Sequence, residues 1–288
     1  MKRSAKHIDI KDPQTVMPWV TDCVQRHYKR HDFRDILIRH GMKRQDYYKA
    51  KRLHDKAAFV PYCKEISKDA CERIRCRELA LPEIKIRERV DQSSGKVRQI
   101  GNESAMQQVL DYIAVYGAME IFDRRIVLAQ VSSIKGRGQK LGVKLIRSFI
   151  KKDNHAAKYA EERGLAYLRR STLFCKLDIR KCFPSARLEA FTRLFERDCA
   201  NEDLLWLWET LLKSHKVGGY SGFMIGALPS CWAIQYMLSF AYREAMNMHY
   251  ARRGKNIRVF HKGVFFMDDM LLFGTNRSRM RKGINEMS

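Results

Sequence analysis

Two adjacent carboxylates, Asp268 and Asp269, stand between two apolar runs in the segment Gly263–Gly274, and this pattern constrains the fold more than any other feature. The runs Val264–Met267 and Met270–Phe273 have strand length and composition, so they predict a β-hairpin with both carboxylates at its turn. Neighbouring carboxylates among apolar side chains repel each other and resist desolvation, so they need compensation. Mg²⁺ prefers carboxylate oxygens and would supply it. The alternative is an ordinary acidic turn exposed to water.

The composition predicts a globular protein with more than one lobe. The chain has 288 residues, of which 45% are hydrophobic, enough to bury a real core. No apolar run approaches the roughly 20 residues that span a bilayer, and the first residues lead into no secretion signal, so we expect a cytoplasmic protein. The eight cysteines form no C-x-x-C pair, which favours reduced thiols over a disulfide framework or a zinc site.

The charge indicates the kind of partner. Fifty-six Lys and Arg against 32 Asp and Glu give a net charge of +24. Such an excess repels itself unless a polyanion shares its field, so we expect nucleic acid. An anionic membrane surface is the alternative, but the chain has no concentrated polybasic tail or amphipathic anchor. Spread-out charge suits a phosphate backbone better, so we expect no membrane partner.

Residues 1–80 are basic and helical in pattern, with a helix start at Asp12-Pro13. The segment Ile84–Ile100 then predicts two alternating strands around a polar turn. Alternation places Lys96 and Arg98 on one face of the second strand, where two cations can grip a triphosphate. A solvated strand face is the alternative explanation.

Two helices follow in the pattern. Ser104 and Gln107 form a capping box for a core helix whose apolar stripe continues to Ile121. The cationic loop Ser132–Gly138 then leads into a helix with a basic ridge at i+4, i+3 and i+4 spacing. The candidate nucleic-acid contacts are Arg137 in the loop, then Lys140, Lys144, Arg147 and Lys151 on the ridge. Glycines beside Arg137 would let backbone amides approach a phosphodiester.

A further carboxylate, Asp178, ends the apolar run Leu173–Leu177, which predicts a buried strand. Pro184-Ser185 then predicts a cap for a helix with three buried apolar residues. An Asp at the end of an apolar strand is costly without a ligand, so Asp178 could share an ion pair with Asp268. Two metals about 3.5–4 Å apart stabilise the attacking and leaving oxygens of phosphoryl transfer. A lone strand-end Asp is the alternative.

Between the carboxylates the pattern predicts structural elements. Leu204–Leu212 is an apolar helix, Gly218–Gly222 breaks the chain, and a long helix runs from after Ser230 to about Tyr250. The glycine-and-proline turn before this helix offers a smooth surface on which a base pair can rest. A plain helix N-terminus is the alternative.

These segments, in this order, resemble the fingers and palm of reverse transcriptases from about Ile84 to Gly274. The motifs that carry the resemblance are Lys176–Ser185, Ile225–Ser230 and Phe266–Phe273. The resemblance implies an α+β fold with an antiparallel palm sheet and packed helices. It implies a basic helical N-terminal region at 1–80, fingers at 81–170 and an incomplete palm at 171–288, with the thumb absent or supplied by a partner.

The resemblance also implies roles for individual residues. Two Mg²⁺ ions, or Mn²⁺, would be held by Asp178, Asp268 and Asp269 with the Ile179 carbonyl. The incoming triphosphate and its sugar would meet Lys96, Arg98 and Phe183, the last as a steric gate against a 2′-OH. The templating pair would be lined by Ile225, Gly226, Pro229 and Ser230. The activity implied is RNA-directed DNA synthesis from dNTPs on a DNA or RNA primer, with an accessory nucleic-acid-binding protein as a further partner.

The aliphatic Ile225 before Gly226 is similar to the reverse transcriptases of diversity-generating retroelements, although Cys231 replaces the glutamine usual there. A retron, group II intron-like or antiviral-defence enzyme is the alternative within the family. Two other classes stay open: a non-catalytic RNA-binding remnant, and a template-independent nucleotidyl transferase on the same palm.

Overall fold

The chain is an α+β protein with small antiparallel sheets. The computed structural model describes residues 3–90, 92, 95–217 and 222–287. It divides into two compact units, each built from two stretches of sequence. We call Met1–Asp123 with Phe183–Ala233 the helical unit, and Arg124–Cys182 with Ile234–Ser288 the sheet unit. The predicted N-terminal, fingers and palm regions are functional divisions and stay predictions.

The helices are α1 (Pro13–His27), α2 (His31–Arg39), α3 (Arg44–Leu53), α4 (Val60–Cys76), α5 (Ala105–Gly117), α6 (Met119–Arg125), α7 (Gln139–Glu161), α8 (Cys182–Ser185), α9 (Leu188–Asp198), α10 (Glu202–Lys213), α11 (Leu228–Asn247) and α12 (Arg277–Met287). The strands are β1 (Lys85–Val90), β2 (Val97–Asn102), β3 (Leu173–Asp178), β4 (His249–Arg252), β5 (Lys255–Arg258), β6 (Phe260–Phe266) and β7 (Asp269–Gly274). Within the described residues, no helix combines the length and the apolar character needed to cross a bilayer. All eight cysteines are free thiols, as predicted.

The helical character predicted for residues 1–80 is confirmed by α1–α4. Asp12 caps α1, because its carboxylate accepts hydrogen bonds from the N–H groups of Gln14 at 3.1 Å and Thr15 at 3.0 Å. The buried face of α1 has the predicted spacing and consists of Val16, Val20, Cys23 and Val24. This face packs against α4 and α5.

The hairpin predicted at Ile84–Ile100 is confirmed by the antiparallel pair β1–β2, in which Val90 lies opposite Val97. Of its predicted turn, Asp91, Ser93 and Ser94 lie outside the described residues. Val90 and Val97 are 58% and 60% exposed, so this end of the hairpin buries neither face. Lys96 precedes β2 rather than lying in it.

The capping box predicted for α5 forms only in part. The Ser104 hydroxyl accepts a hydrogen bond from the Gln107 N–H at 3.2 Å, but the Gln107 side chain donates to the Ser214 hydroxyl at 2.9 Å instead of returning to Ser104. The predicted single helix also divides, since α5 ends at Gly117 and α6 begins at Met119. The apolar stripe is still buried in both helices.

An aromatic cluster forms the core of the helical unit around Trp208 of α10. The rings of Phe122, Phe191 and Phe195 have centroids 5.3–5.6 Å from that of Trp208. The indole N–H, which burial would otherwise leave unpaired, donates to the Ala114 carbonyl at 2.9 Å. The predicted core positions of α9 and α10 are therefore confirmed.

The predicted cap of α9 is wrong. Ser185 ends the short helix α8, and α9 begins at Leu188 after Arg187, whose side chain forms no cap hydrogen bond. The long helix α11 begins at Leu228, before the predicted start, because Pro229 suits the first turn of a helix. It ends at Asn247 instead of continuing to Tyr250. Residues Gly218–Ser221 of the predicted chain break lie outside the described residues.

The sheet unit contains a three-stranded antiparallel sheet in the order β3–β7–β6. Burial alternates along β3, and Phe174 is 67% exposed, so the prediction of a fully buried strand is wrong. A second hairpin, β4–β5, was not predicted from the sequence. Its turn residues Arg253 and Gly254 both have positive φ, at 49° and 73°, as tight hairpin turns of this kind require.

The hairpin β6–β7 is confirmed, but its turn lies one residue earlier than predicted. Phe266 pairs with Asp269, so Asp269 belongs to the ladder and the two-residue turn is Met267-Asp268. Met267 adopts φ of 56°, the left-handed conformation that lets a tight turn follow the twist of its strands. The prediction that both carboxylates lie in the turn is therefore wrong for Asp269.

Candidate active site

The sheet unit brings together carboxylates that lie 90 positions apart in sequence, Asp178 and Asp268. Asp178, the last residue of β3, lies directly opposite Asp269, the first residue of β7. The Ile179 N–H donates to the Asp268 carbonyl across the same end of the sheet at 3.2 Å. The predicted catalytic set therefore occupies one end of one sheet, and residues directly opposite in such a pair have Cβ atoms about 4.5–5.5 Å apart.

A lysine that the sequence analysis did not assign to the site contacts this set. Lys176 and Asp178 lie on the same exposed face of β3. The Lys176 Nζ is 2.9 Å from the Asp269 Oδ1. The hydrogen bond and the charge of Asp269, with smaller contributions from Asp178 and Asp268, raise the pKa of Lys176. One of the three carboxylates is therefore compensated within the sheet itself.

Cys182 of α8 reports the combined charge of the other two carboxylates. Burial raises the pKa of its thiol, and the charges of Asp268 and Asp178 add to this, giving a pKa of about 12. The thiol is therefore protonated at neutral pH and is neither a nucleophile nor a metal ligand in that state. Both carboxylates act on the same group, which is consistent with their position at one end of the sheet.

The carboxylates suit a divalent cation in kind and number. Among the described residues, no three His, Cys, Asp or Glu side chains gather into a metal-binding group. Two carboxylates are enough for Mg²⁺, which commonly binds one or two of them together with waters and substrate phosphates. In the part of the chain that the structure describes, no hydrogen bond or ion pair engages the carboxylates of Asp178 and Asp268. These two groups fit the ion, and Asp269 is held by Lys176.

A cavity of about 450 Å³ adjoins the site between the sheet and α7. Its lining includes Lys176, Asp269 and Phe266 on the sheet and Gly142 and Val143 on α7. Phe266 is 45% exposed at the end of β6. An apolar surface therefore extends to the edge of the carboxylates.

The basic ridge predicted on α7 is confirmed as an exposed feature. Its four cations line an open groove of about 590 Å³ together with Gln139, Val143 and Ser148. These cations are Lys140, Lys144, Arg147 and Lys151. Arg137, predicted as a fifth contact, is committed in part to the fold, because its Nη1 donates to the carbonyls of Val127 at 2.6 Å and Gln130 at 3.1 Å.

The residues predicted to bind the nucleotide lie in the helical unit. Lys96 is exposed, and Arg98 lies directly opposite Arg89 across the hairpin. Like charges in such positions destabilise a hairpin unless an anion shares their field. The arrangement is therefore compatible with the predicted phosphate contact.

The predicted steric gate and the segment after the masked residues pack tightly together. The Phe183 carbonyl accepts a hydrogen bond from the Phe223 N–H at 2.9 Å. Gly222 has φ of 93°, and a Cβ there would overlap the carbonyl oxygens of Phe183 and Pro184. Glycine is thus required at Gly222, and this contact fixes the backbone that carries the Phe183 ring.

The predicted templating residues divide into exposed and buried members. Gly226 is exposed, and the carbonyl of Ile225 accepts a hydrogen bond from the Gly101 N–H of β2 at 3.1 Å. Pro229 and Ser230 are buried. The side chain of Ser230 therefore serves the interior rather than a free surface.

Ser230 belongs to a buried polar cluster that the sequence analysis did not find. Its hydroxyl lies 3.3 Å from the His215 Nδ1, which also accepts a hydrogen bond from the Met224 N–H at 3.3 Å. The His215 Nε2 faces Glu103 Oε1 at 3.4 Å. Burial, together with the neighbouring Glu103, raises the pKa of Asp111 well above its usual range. No local pattern predicts this cluster, because its members come from four separate segments.

Asp153 of α7 fixes the segment that leads into β3. Its carboxylate accepts hydrogen bonds from the Tyr167 hydroxyl at 2.7 Å, the Arg170 N–H at 3.0 Å, and the N–H and hydroxyl of Ser171 at 2.8 and 2.6 Å. Burial alone would raise the pKa of Asp153, but these hydrogen bonds outweigh it and lower the pKa to about 2. The anchor therefore sets where β3, and with it Asp178, begins.

Neither a comparison with protein-family models nor a comparison with curated proteins gives a match for this chain. A functional assignment therefore depends on the residues and the geometry described above.

Proposed function

We propose that this chain is an RNA-directed DNA polymerase, a reverse transcriptase with a fingers-and-palm architecture. The observation that carries the proposal is the meeting of Asp178 with Asp268 and Asp269 at one end of an antiparallel sheet. Phosphoryl transfer needs little from a protein besides positioning and charge stabilisation, and carboxylates that hold metal ions provide both. The basic composition supports a nucleic-acid substrate.

In this proposal, bound Mg²⁺ or Mn²⁺ supplies charge stabilisation for the attacking and leaving oxygens of the transferred phosphate. Asp178 and Asp268 hold the ions and the Ile179 carbonyl assists. Lys96 and Arg98 hold the triphosphate of the incoming dNTP. The α7 ridge contacts a nucleic-acid backbone without reading its sequence.

The sugar and the templating pair complete the proposed site. Phe183 excludes a 2′-OH from the incoming nucleotide, and Gly226 offers an exposed, side-chain-free surface to the templating pair. The template is RNA and the primer is DNA or RNA. The aliphatic Ile225 before Gly226 favours a diversity-generating retroelement as the source of the template.

The test is primer extension on an RNA template with dNTPs and Mg²⁺ or Mn²⁺. The expected result is metal-dependent extension that Asp268→Asn abolishes, since the amide removes the charge but keeps the size. Asp46→Asn is the matched control, because Asp46 is an exposed carboxylate on α3. Incorporation by Asp268→Asn equal to that of the control would contradict the proposal.

A second candidate is RNA binding without catalysis. It is favoured by the exposed cations of the α7 groove and by the absence of a group of three acidic metal ligands among the described residues. This candidate predicts salt-sensitive RNA binding and no extension under any metal condition. Asp268→Asn would then bind RNA no less tightly than Asp46→Asn.

A further inference from the structure

Lys176 contacts a carboxylate of the candidate active site, and the proposed function gives this lysine no role. Its Nζ lies 2.9 Å from the Asp269 Oδ1, at the end of the sheet where Asp178 also lies. Lys176 pairs directly with Leu271, so Asp269 is its diagonal neighbour on the same face. Diagonal neighbours are within reach of long side chains, which explains how the contact forms.

The ion pair is exposed, with 67% of the Lys176 side chain and 43% of the Asp269 side chain accessible. Exposed ion pairs contribute little to folding stability, because water screens them and both side chains lose freedom. The contact therefore matters mainly for the local charge. Without Lys176, three carboxylates would stand together at this end of the sheet, and Asp269 would be as free as Asp178 and Asp268.

We propose that Lys176 is a positioning residue that holds Asp269 away from the metal ions and limits the protein ligands to the carboxylates of Asp178 and Asp268. The proposal rests on the proposed function, since it concerns the same metal site. Removing the lysine charge should free a third carboxylate and remove a repulsive cation. The affinity for a divalent ion should then rise by about tenfold or more, the size expected for one unit charge at contact distance near a protein surface.

The test measures Mn²⁺ binding to the full chain, without nucleotide, by the loss of the electron paramagnetic resonance signal of free Mn²⁺. Lys176→Met removes the charge and Lys176→Arg retains it. Lys68→Met is the matched control, because Lys68 forms an equally exposed ion pair with Glu65 at 2.8 Å in the helical unit. Asp178→Asn reports whether the bound Mn²⁺ occupies the candidate site, and circular dichroism verifies that each variant is folded.

The expected result is Mn²⁺ binding at least about tenfold tighter in Lys176→Met, with Lys176→Arg and Lys68→Met within about threefold of the unsubstituted chain. Asp178→Asn should abolish the binding. If Asp178→Asn abolishes it but Lys176→Met binds no more tightly than Lys68→Met, the role of Lys176 is overturned and the metal site stands. If the unsubstituted chain binds no Mn²⁺, or Asp178→Asn binds it unchanged, both this role and the proposed metal site are overturned.

Discussion

Asp153→Asn should loosen the segment that leads into β3 and carries Asp178. Asp153 is 4% exposed and its carboxylate accepts four hydrogen bonds from three residues of the segment 167–171. An asparagine keeps one acceptor oxygen but turns an amide N–H₂ group towards some of the same donors. The substitution therefore leaves buried donors without partners, which is more costly than losing an exposed contact.

The size of the effect follows from the pKa of Asp153, which lies at about 2 instead of 3.8. At 1.36 kcal/mol per pKa unit this depression corresponds to about 2.4 kcal/mol of stabilisation at neutral pH. Because the folded-state pKa is lowered, the stabilisation is present above pH 3.8 and is lost as the pH falls towards 2. By pH 3 about 1 kcal/mol of it should be gone.

The assay is urea unfolding at pH 7 and pH 3, followed by far-UV circular dichroism, with hydrogen exchange to locate the change. All four tryptophans lie in the helical unit, so their fluorescence reports that unit separately. We expect Asp153→Asn to lose about 2–3 kcal/mol at pH 7 and clearly less at pH 3, with faster exchange over 165–178. Glu161→Gln, an exposed site on the same helix, is the control. An equal loss for Asp153→Asn at both pH values would refute the reasoning.

Three further outcomes are expected. Gly222→Ala should destabilise the helical unit by about 2–4 kcal/mol in urea unfolding, whereas Gly164→Ala, with similar positive φ but open space around it, should cost about 1 kcal/mol; equal costs would show that the contact with Phe183 is unimportant. Phe183→Ala should admit ribonucleotides in primer extension, and unchanged sugar discrimination would remove the gate role. Lys144→Glu with Arg147→Glu should reduce the salt dependence of RNA binding, measured by fluorescence anisotropy, by about one unit of log–log slope per lost phosphate contact, and an unchanged slope would exclude the α7 ridge from the interface.

The elements of the site were predictable because their signals are local. The apolar run before Asp178 and the runs around Asp268 have strand composition over a few residues, and the structure forms β3, β6 and β7 there. The helical stripe of α1 and the basic ridge of α7 were predictable for the same reason, since both depend only on the period of the helix. Nothing in those patterns depends on distant residues.

The contacts of the site were not predictable in the same way. The pairing of Lys176 with Asp269 depends on the register of β3 against β7, and a shift of one residue would turn every side chain of a strand to the other face. The turn Met267-Asp268 likewise follows from the ladder rather than from the order of apolar residues. The cluster around His215 requires segments that are distant in sequence, so no window of the sequence contains its signal.

The central claim is that Asp178 and Asp268 hold the same ions, and iron-mediated cleavage of the full chain tests it most directly. Fe²⁺ binds oxygen ligands of this kind, and with ascorbate and peroxide it cleaves the backbone beside its own position. We expect two cleavage sites in the unsubstituted chain, one near residue 178 and one near residue 268, and Mg²⁺ should compete with both. Asp268→Asn should abolish the two cuts together. Cleavage at only one of these positions, or a cut near residue 178 that persists in Asp268→Asn, would contradict the shared metal site.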